Sequence, residues 1–205
     1  MDKSKLLQDA TTLFLVINPF GAIPHYLLLT RGMTRAERLR IAARACIVAT
    51  VILVAFIFIG EIVLEELRVG LTAFRIAGGL LLLVIAFRMV LEARAAPPPP
   101  EGEERMGVAV FPLATPLLAG PGSIIAAVLL TENAVYSIGE QAITGFIVVA
   151  ILVFAFVVLA AADFLQRVLG TTGTSVMSRV FGLLLAALAM QTILDGLRPY
   201  IQSLR

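Results

Sequence analysis

Residues 10–30 read ATTLFLVINPFGAIPHYLLLT, and residues 106–131 read MGVAVFPLATPLLAGPGSIIAAVLLT. Each run is apolar and long enough to cross a bilayer, for which roughly 20 residues suffice. Each is also interrupted in its middle. The first carries Asn18, Pro19, Gly21 and Pro24; the second carries Pro112, Pro116, Gly120, Pro121 and Gly122. A helix broken inside hydrocarbon exposes backbone N–H and C=O groups that no water satisfies, so a break persists only where it faces protein, a cavity or a ligand. Matched breaks in the two halves of a chain are the sequence pointer to a transporter's substrate site.

The rest of the chain agrees with a membrane solvent. Of its 205 residues 60% are hydrophobic and 15% charged, and the formal net charge is +2. The mean hydropathy is +0.99. A soluble domain is about 45–50% apolar and about 25% charged. The balance of charge points to no nucleic-acid partner; the lipid bilayer is the partner it implies. The one cysteine, Cys46, lies in an apolar run and reads as a small buried hydrophobe. With no Trp in the chain, Tyr26, Tyr136 and Tyr200 are the candidates for interfacial anchors.

Six spans are expected: Leu6–Leu29, Ala45–Leu64, Val69–Val90, Met106–Thr131, Ala142–Ala162 and Val176–Leu194. The connections after spans 1, 3 and 5 hold Arg31, Arg35, Arg38, Arg40 and Arg44, then Arg88, Arg94 and Arg105, then Arg167 and Arg179. The arginine-rich side is read as cytoplasmic, which puts both termini outside. Residues 96–105, with four prolines and a glutamate cluster, read as a linker between halves 1–95 and 106–205. The halves resemble each other. At a spacing of 104 residues Arg75 falls on Arg179 and Gly78 on Gly182; at 102, Pro19 falls on Pro121 and Glu61 on Asp163. The reading is an all-α polytopic membrane protein built of two three-helix repeats with helices 1 and 4 broken. An odd number of spans per repeat inverts the second copy, so the two breaks meet near mid-membrane.

Each break leaves a half-helix N-terminus rich in free N–H groups and carrying partial positive charge, and a half-helix C-terminus rich in carbonyls. A small zwitterion matches both ends. The candidate substrate-binding residues are Asn18, Pro19, Gly21, Pro24, Thr115, Pro116, Gly120, Pro121, Gly122 and Ser123. The glycines let backbone approach a ligand, Pro121 suits a first helical position, and Ser123 suits a cap. Glu61 with Arg75, and Asp163 with Arg179, are the expected ion pairs, one on each membrane side, acting as gates or clasps. No acid lies centrally in a span, and His25 is the one histidine.

The Asn18–Pro24 segment, the Pro112–Ser123 segment and the Phe74-Arg75-Ile76-Ala77-Gly78-Gly79 start of span 3 resemble the signature motifs of the MarC family. The resemblance covers essentially the whole chain. It implies a bacterial or archaeal cytoplasmic (inner) membrane protein, and members have been linked to neutral amino-acid transport. The functional expectation is a secondary transporter of small neutral amino acids working by alternating access. The alternatives are an exporter or channel for other metabolites or drugs, and a structural membrane subunit. An intramembrane hydrolase using Ser123 and His25 lacks a nucleophile motif, and no nucleotide-binding loop is present. The chain therefore reads as non-enzymatic, with no metal and no cofactor; a coupling proton or sodium ion is left open.

Overall fold

The computed structural model describes residues 3–91, 107–132 and 135–203. The expected linker at 96–105 lies outside the described residues. Among the described residues five helices are long and apolar enough to cross a membrane, and a sixth crossing is made if the bent pair Gly107–Leu118 and Pro121–Leu130 counts as one. The chain is an all-α multi-pass membrane protein.

The first crossing comprises α1 (Lys3–Ile17) and α2 (Pro19–Leu29). The second is α3 (Arg35–Glu66). Its start lies ten residues before the expected Ala45, so the arginine-rich stretch is helix, not loop. The reason is local: Thr34 and Glu37 form a reciprocal capping box, Thr34 N–H donating to the Glu37 carboxylate at 2.7 Å. α4 (Leu71–Leu91) is the third crossing. The fourth starts with a wide-wound π-type segment, Val110–Leu118, and continues as α5 (Pro121–Leu130). α6 (Ile138–Ala160) opens on a second capping box, Ser137 with Glu140. Its 23 residues reach about 35 Å, enough for the hydrocarbon core. α7 (Ala162–Ser203) is interrupted at Gly170, whose φ of 65° suits glycine.

Lipid is as apolar as leucine, so packing and small residues must hold the helices together. α4 and α7 form the most extensive pair, and glycine brings them close. A Cβ on Gly79 would lie 2.9 Å from the Ala189 carbonyl oxygen, one on Gly182 3.2 Å from that of Ala86, and one on Gly196 2.8 Å from the Ile76 side chain. Contacts that climb α4 descend α7, so the two run antiparallel. Most of the remaining contacts come in matched sets. α3 packs on α6; α1 on α5 and α2 on the Val110–Leu118 segment; α3 on α5 and α6 on α2; α4 on α5 and α7 on α2. Leu13, Ile17, Ile23, Leu53, Leu113, Leu118, Leu152 and Leu159 fill the interior, while Ile47, Val51, Leu81, Phe146 and Val153 face outward.

Tyr26 departs from its expected place. It is buried, and its hydroxyl donates to the Arg38 carbonyl at 2.9 Å, because an interior phenol needs an acceptor.

Candidate functional site

The first break occupies one residue. Asn18 takes a left-handed conformation (φ 48°, ψ 65°), which asparagine tolerates better than most side chains. Its Oδ1 accepts from Gly21 N–H at 3.1 Å and so caps α2, with Pro19 at the first helical position. Its N–H still donates to the Phe14 carbonyl at 3.0 Å. The amide nitrogen points to the Met89 sulfur at 3.9 Å. Gly21 leaves the room that the Asn18 side chain fills: a Cβ there would strike it. Pro24 sits inside α2, half-buried.

The second break is longer. Phe111 and Thr115, the residues before Pro112 and Pro116, are extended, as pre-proline residues prefer. Ala119 N–H donates to the Ala114 carbonyl at 2.8 Å, a five-residue step. Gly120 is the N-cap of α5, and Pro121 takes the first helical position as expected. Ser123 is not the cap. Its buried hydroxyl donates to the Leu118 carbonyl at 2.9 Å, bridging the break, because Leu118 has lost its helical donor. Thr115 donates similarly to Val110 O at 3.1 Å, while the Pro116 ring is exposed. A Cβ on Gly120 would strike the Pro116 carbonyl oxygen.

The two breaks adjoin. Gly122, in the first turn of α5, lies against Val16 in the last turn of α1: a Cβ there would be 3.2 Å from the Val16 side chain and 2.7 Å from Leu82 Cδ2 of α4. Beside the first break stands a collar of four rings. Phe14, Phe20, Phe154 and Phe181, from α1, α2, α6 and α7, have centroids 5.9–6.3 Å apart. Such edge and offset contacts each contribute about 0.5–1.5 kcal/mol beyond burial.

A cavity of about 480 Å³ runs between α1, α4, α5 and α7. Its wall carries the polar side chains Gln8, Asp9, Arg75, Tyr136, Gln191, Asp195 and Arg198 among leucines of α4, α5 and α7. Leu82 lines it as well, and the same side chain lies against Gly122 at the second break.

The expected ion pairs are exchanged for others. Arg75 pairs with Glu132, not Glu61, because the end of α5 packs over the start of α4. Asp163 pairs with Arg38 at 2.9 Å, not Arg179, which lies exposed beyond the Gly170 interruption. The Arg38 guanidinium also lies 5.4 Å from the Tyr26 ring centroid. Both new pairs involve basic and acidic groups from distant segments, which no spacing rule in the sequence links.

The sequence reading also passed over Asp9. It is fully buried, and its carboxylate takes Lys5 Nζ at 3.1 Å and the Thr144 hydroxyl at 2.6 Å. The signal available was the four-residue spacing of Lys5 and Asp9 at the start of an apolar helix. Thr144 is 135 residues away and carried none.

A model of the MarC family of integral membrane proteins matches residues 4–201. A UPF0056 membrane protein of Methanocaldococcus jannaschii is 36% identical over 202 residues, covering 97% of this chain and 98% of the relative. The UPF0056 membrane protein YvbG of Bacillus subtilis is 33% identical over 91% of each chain. The UPF0056 inner membrane protein YhgN of Escherichia coli is 28% identical over 97% of this chain and 99% of its own. No solved structure matches.

Proposed function

The chain belongs to the MarC family of integral membrane proteins, and from that premise we propose that it is a secondary transporter of small neutral amino acids, with substrate held between the two broken helices. The observation that carries this reading is the adjacency of the breaks: Gly122 against Val16, beside Leu82, which also lines the cavity. Gly21 N–H and the Leu118 carbonyl are already bonded within the breaks, so in this reading the remaining N–H and C=O groups of the half-helix ends partner a carboxylate and an ammonium. Asn18, Pro19, Gly21, Pro24, Thr115, Pro116, Gly120, Pro121, Gly122 and Ser123 surround this place. Leu82 separates it from the cavity, so the arrangement reads as a conformer open on one side, with the phenylalanine collar closing the first break.

Alternating access follows if the halves 1–95 and 106–205 are inverted repeats. The matched contacts support this. Exchanging the halves converts α1 on α5 into the Val110–Leu118 segment on α2, and α4 on α5 into α7 on α2, and each is observed. Gly79 against Ala189 and Gly182 against Ala86 are the same contact seen from each half, to within a residue. The Arg75–Glu132 and Arg38–Asp163 pairs then sit at opposite ends and act as gates. The inner membrane, with both termini outside, is the placement the arginine asymmetry supports; the Escherichia coli relative is named an inner membrane protein.

Purified protein in liposomes loaded with unlabelled alanine should take up labelled alanine by counterflow. Gly122→Val should fold, since Leu82 and Val16 are flexible neighbours, and should block that exchange. Wild-type protein that exchanges neither glycine, alanine nor serine overturns the substrate reading. Gly122→Val that exchanges alanine at the wild-type rate puts the site elsewhere.

A further inference from the structure

The Lys5 ammonium is held by three groups. Asp9 Oδ1 and Oδ2 are each 3.1 Å from Nζ, the Leu130 carbonyl oxygen is 2.9 Å away, and the Tyr136 ring centroid lies at 3.6 Å. Leu130 is the last residue of α5, where helix carbonyls are unpaired and the helix dipole is negative. The Tyr136 ring adds its π face. This is not a surface bridge between neighbouring turns. The Asp9 side chain is 1% exposed and that of Lys5 11%. The carboxylate is further fixed by Thr144 of α6.

Asp9, Leu130 and Tyr136 all line the 480 Å³ cavity, together with Arg75. A ligand in that cavity therefore meets the whole ammonium cage with a lysine already in it. A lysine ammonium and the α-ammonium of an amino acid are the same group, each with three N–H donors. The other charge of a zwitterion has a stand-in too. The Glu132 carboxylate rests on the Arg75 guanidinium, where a free carboxylate would rest.

Accepting the amino-acid reading above, on which this rests, we propose that Asp9, Leu130 O and Tyr136 form the ammonium subsite of an outer binding site for zwitterionic amino acids. Lys5 fills that subsite when no substrate is bound, and Arg75 takes the carboxylate. The filled state keeps Asp9 from being buried as an uncompensated charge. Substrate binding exchanges two internal partners for the two ends of one molecule. That exchange also frees α1 from the end of α5, the half-helix that begins at the second break.

The test uses the full-length protein in detergent. Lys5→Met keeps the apolar stem and removes the competitor, so labelled alanine should bind about tenfold tighter than to wild type. Ethylammonium chloride should raise the unfolding temperature of Lys5→Met above that of an equal concentration of sodium chloride, and should leave wild type unmoved. Asp9→Asn should weaken alanine binding by about tenfold or more and, added to Lys5→Met, remove the ethylammonium effect. Lys5→Gln, which keeps a neutral donor to Asp9, replaces Lys5→Met if that variant does not fold, with the same expectation. Alanine binding that falls in the lysine variant as it does in Asp9→Asn makes the pair a structural bridge and overturns the proposal. So does a lysine variant indifferent to ethylammonium. If wild type binds no amino acid while ethylammonium stabilises the lysine variant through Asp9, the cage stands and the amino-acid reading falls.

Discussion

The two breaks solve one problem in different ways. Across Asn18, Lys3–Leu29 still reads as one crossing. A single side chain does the repair, with Oδ1 accepting from Gly21 N–H in the first turn of α2. At Gly120 the two helices bend by 55°, and the repair is spread over Ala119 N–H, Ser123 Oγ and Thr115 Oγ1. The first break consumes donors; the second chiefly consumes carbonyls. Proline dictates the difference. Pro19 and Pro121 both sit at first helical positions and cost no hydrogen bond, and the interior Pro24 of α2 lies past the first break; Pro112 and Pro116 fall before the second break itself, each following an extended residue, and there remove donors and leave carbonyls behind. The breaks are equivalent in sequence place and unequal in physical character.

That contrast can be broken most severely at Gly120. Its backbone is extended and would accept any residue, but a Cβ meets the Pro116 carbonyl, which belongs to the backbone and has no rotamer to change. Gly120→Val should cost about 3 kcal/mol or more, seen as lost monodisperse protein or a fall in the unfolding midpoint in detergent. A wild-type midpoint would mean that the second break is not so tightly wound.

Gly21 should be milder, because its obstacle is a side chain. Gly21→Ala should displace the Asn18 amide and cost about 1–2 kcal/mol, the worth of the cap. Asn18→Ala should cost a similar amount. The two should not add: with the amide gone, alanine at 21 meets nothing. Additive losses in a double-mutant cycle would break the assignment of Asn18 as the cap.

Ser123→Ala removes the bridge across the second break and leaves the Leu118 carbonyl short of a donor. The expected loss is about 1 kcal/mol. It should appear as faster amide hydrogen exchange within residues 119–124 and unchanged exchange at 18–21. Equal acceleration at both places would mean that the breaks open as one unit. Thr115→Val should be the smallest change, within about 0.5 kcal/mol in denaturant unfolding, because its hydrogen bond is exposed.

The glycines show where sequence reasoning was general and the structure specific. Gly21, Gly120 and Gly122 were read as places where backbone approaches a ligand. Here the space beside each is taken by the Asn18 side chain, the Pro116 carbonyl and Leu82. The sequence announces that close approach is needed; it does not say to what. The charged residues repeat the lesson. The sequence pairs Arg75 with Glu61 and Asp163 with Arg179, but their partners, Glu132 and Arg38, come from just beyond α5 and from the start of α3.

The sequence by itself determined the solvent, the crossings and the two interruptions. These depend on composition, on apolar length and on what proline does to its own neighbours, all of which act within a few residues. The capping boxes at Thr34 and Ser137 are equally local. Only the tertiary structure decided which groups meet. It brought Val16 to Gly122, Thr144 to Asp9, four phenylalanines into one collar, and Lys5 onto the end of α5. Helix packing in lipid is chosen by shape and by the few polar groups that must find partners. A buried Asp9 has to be satisfied, but only the arrangement of the crossings determines by whom.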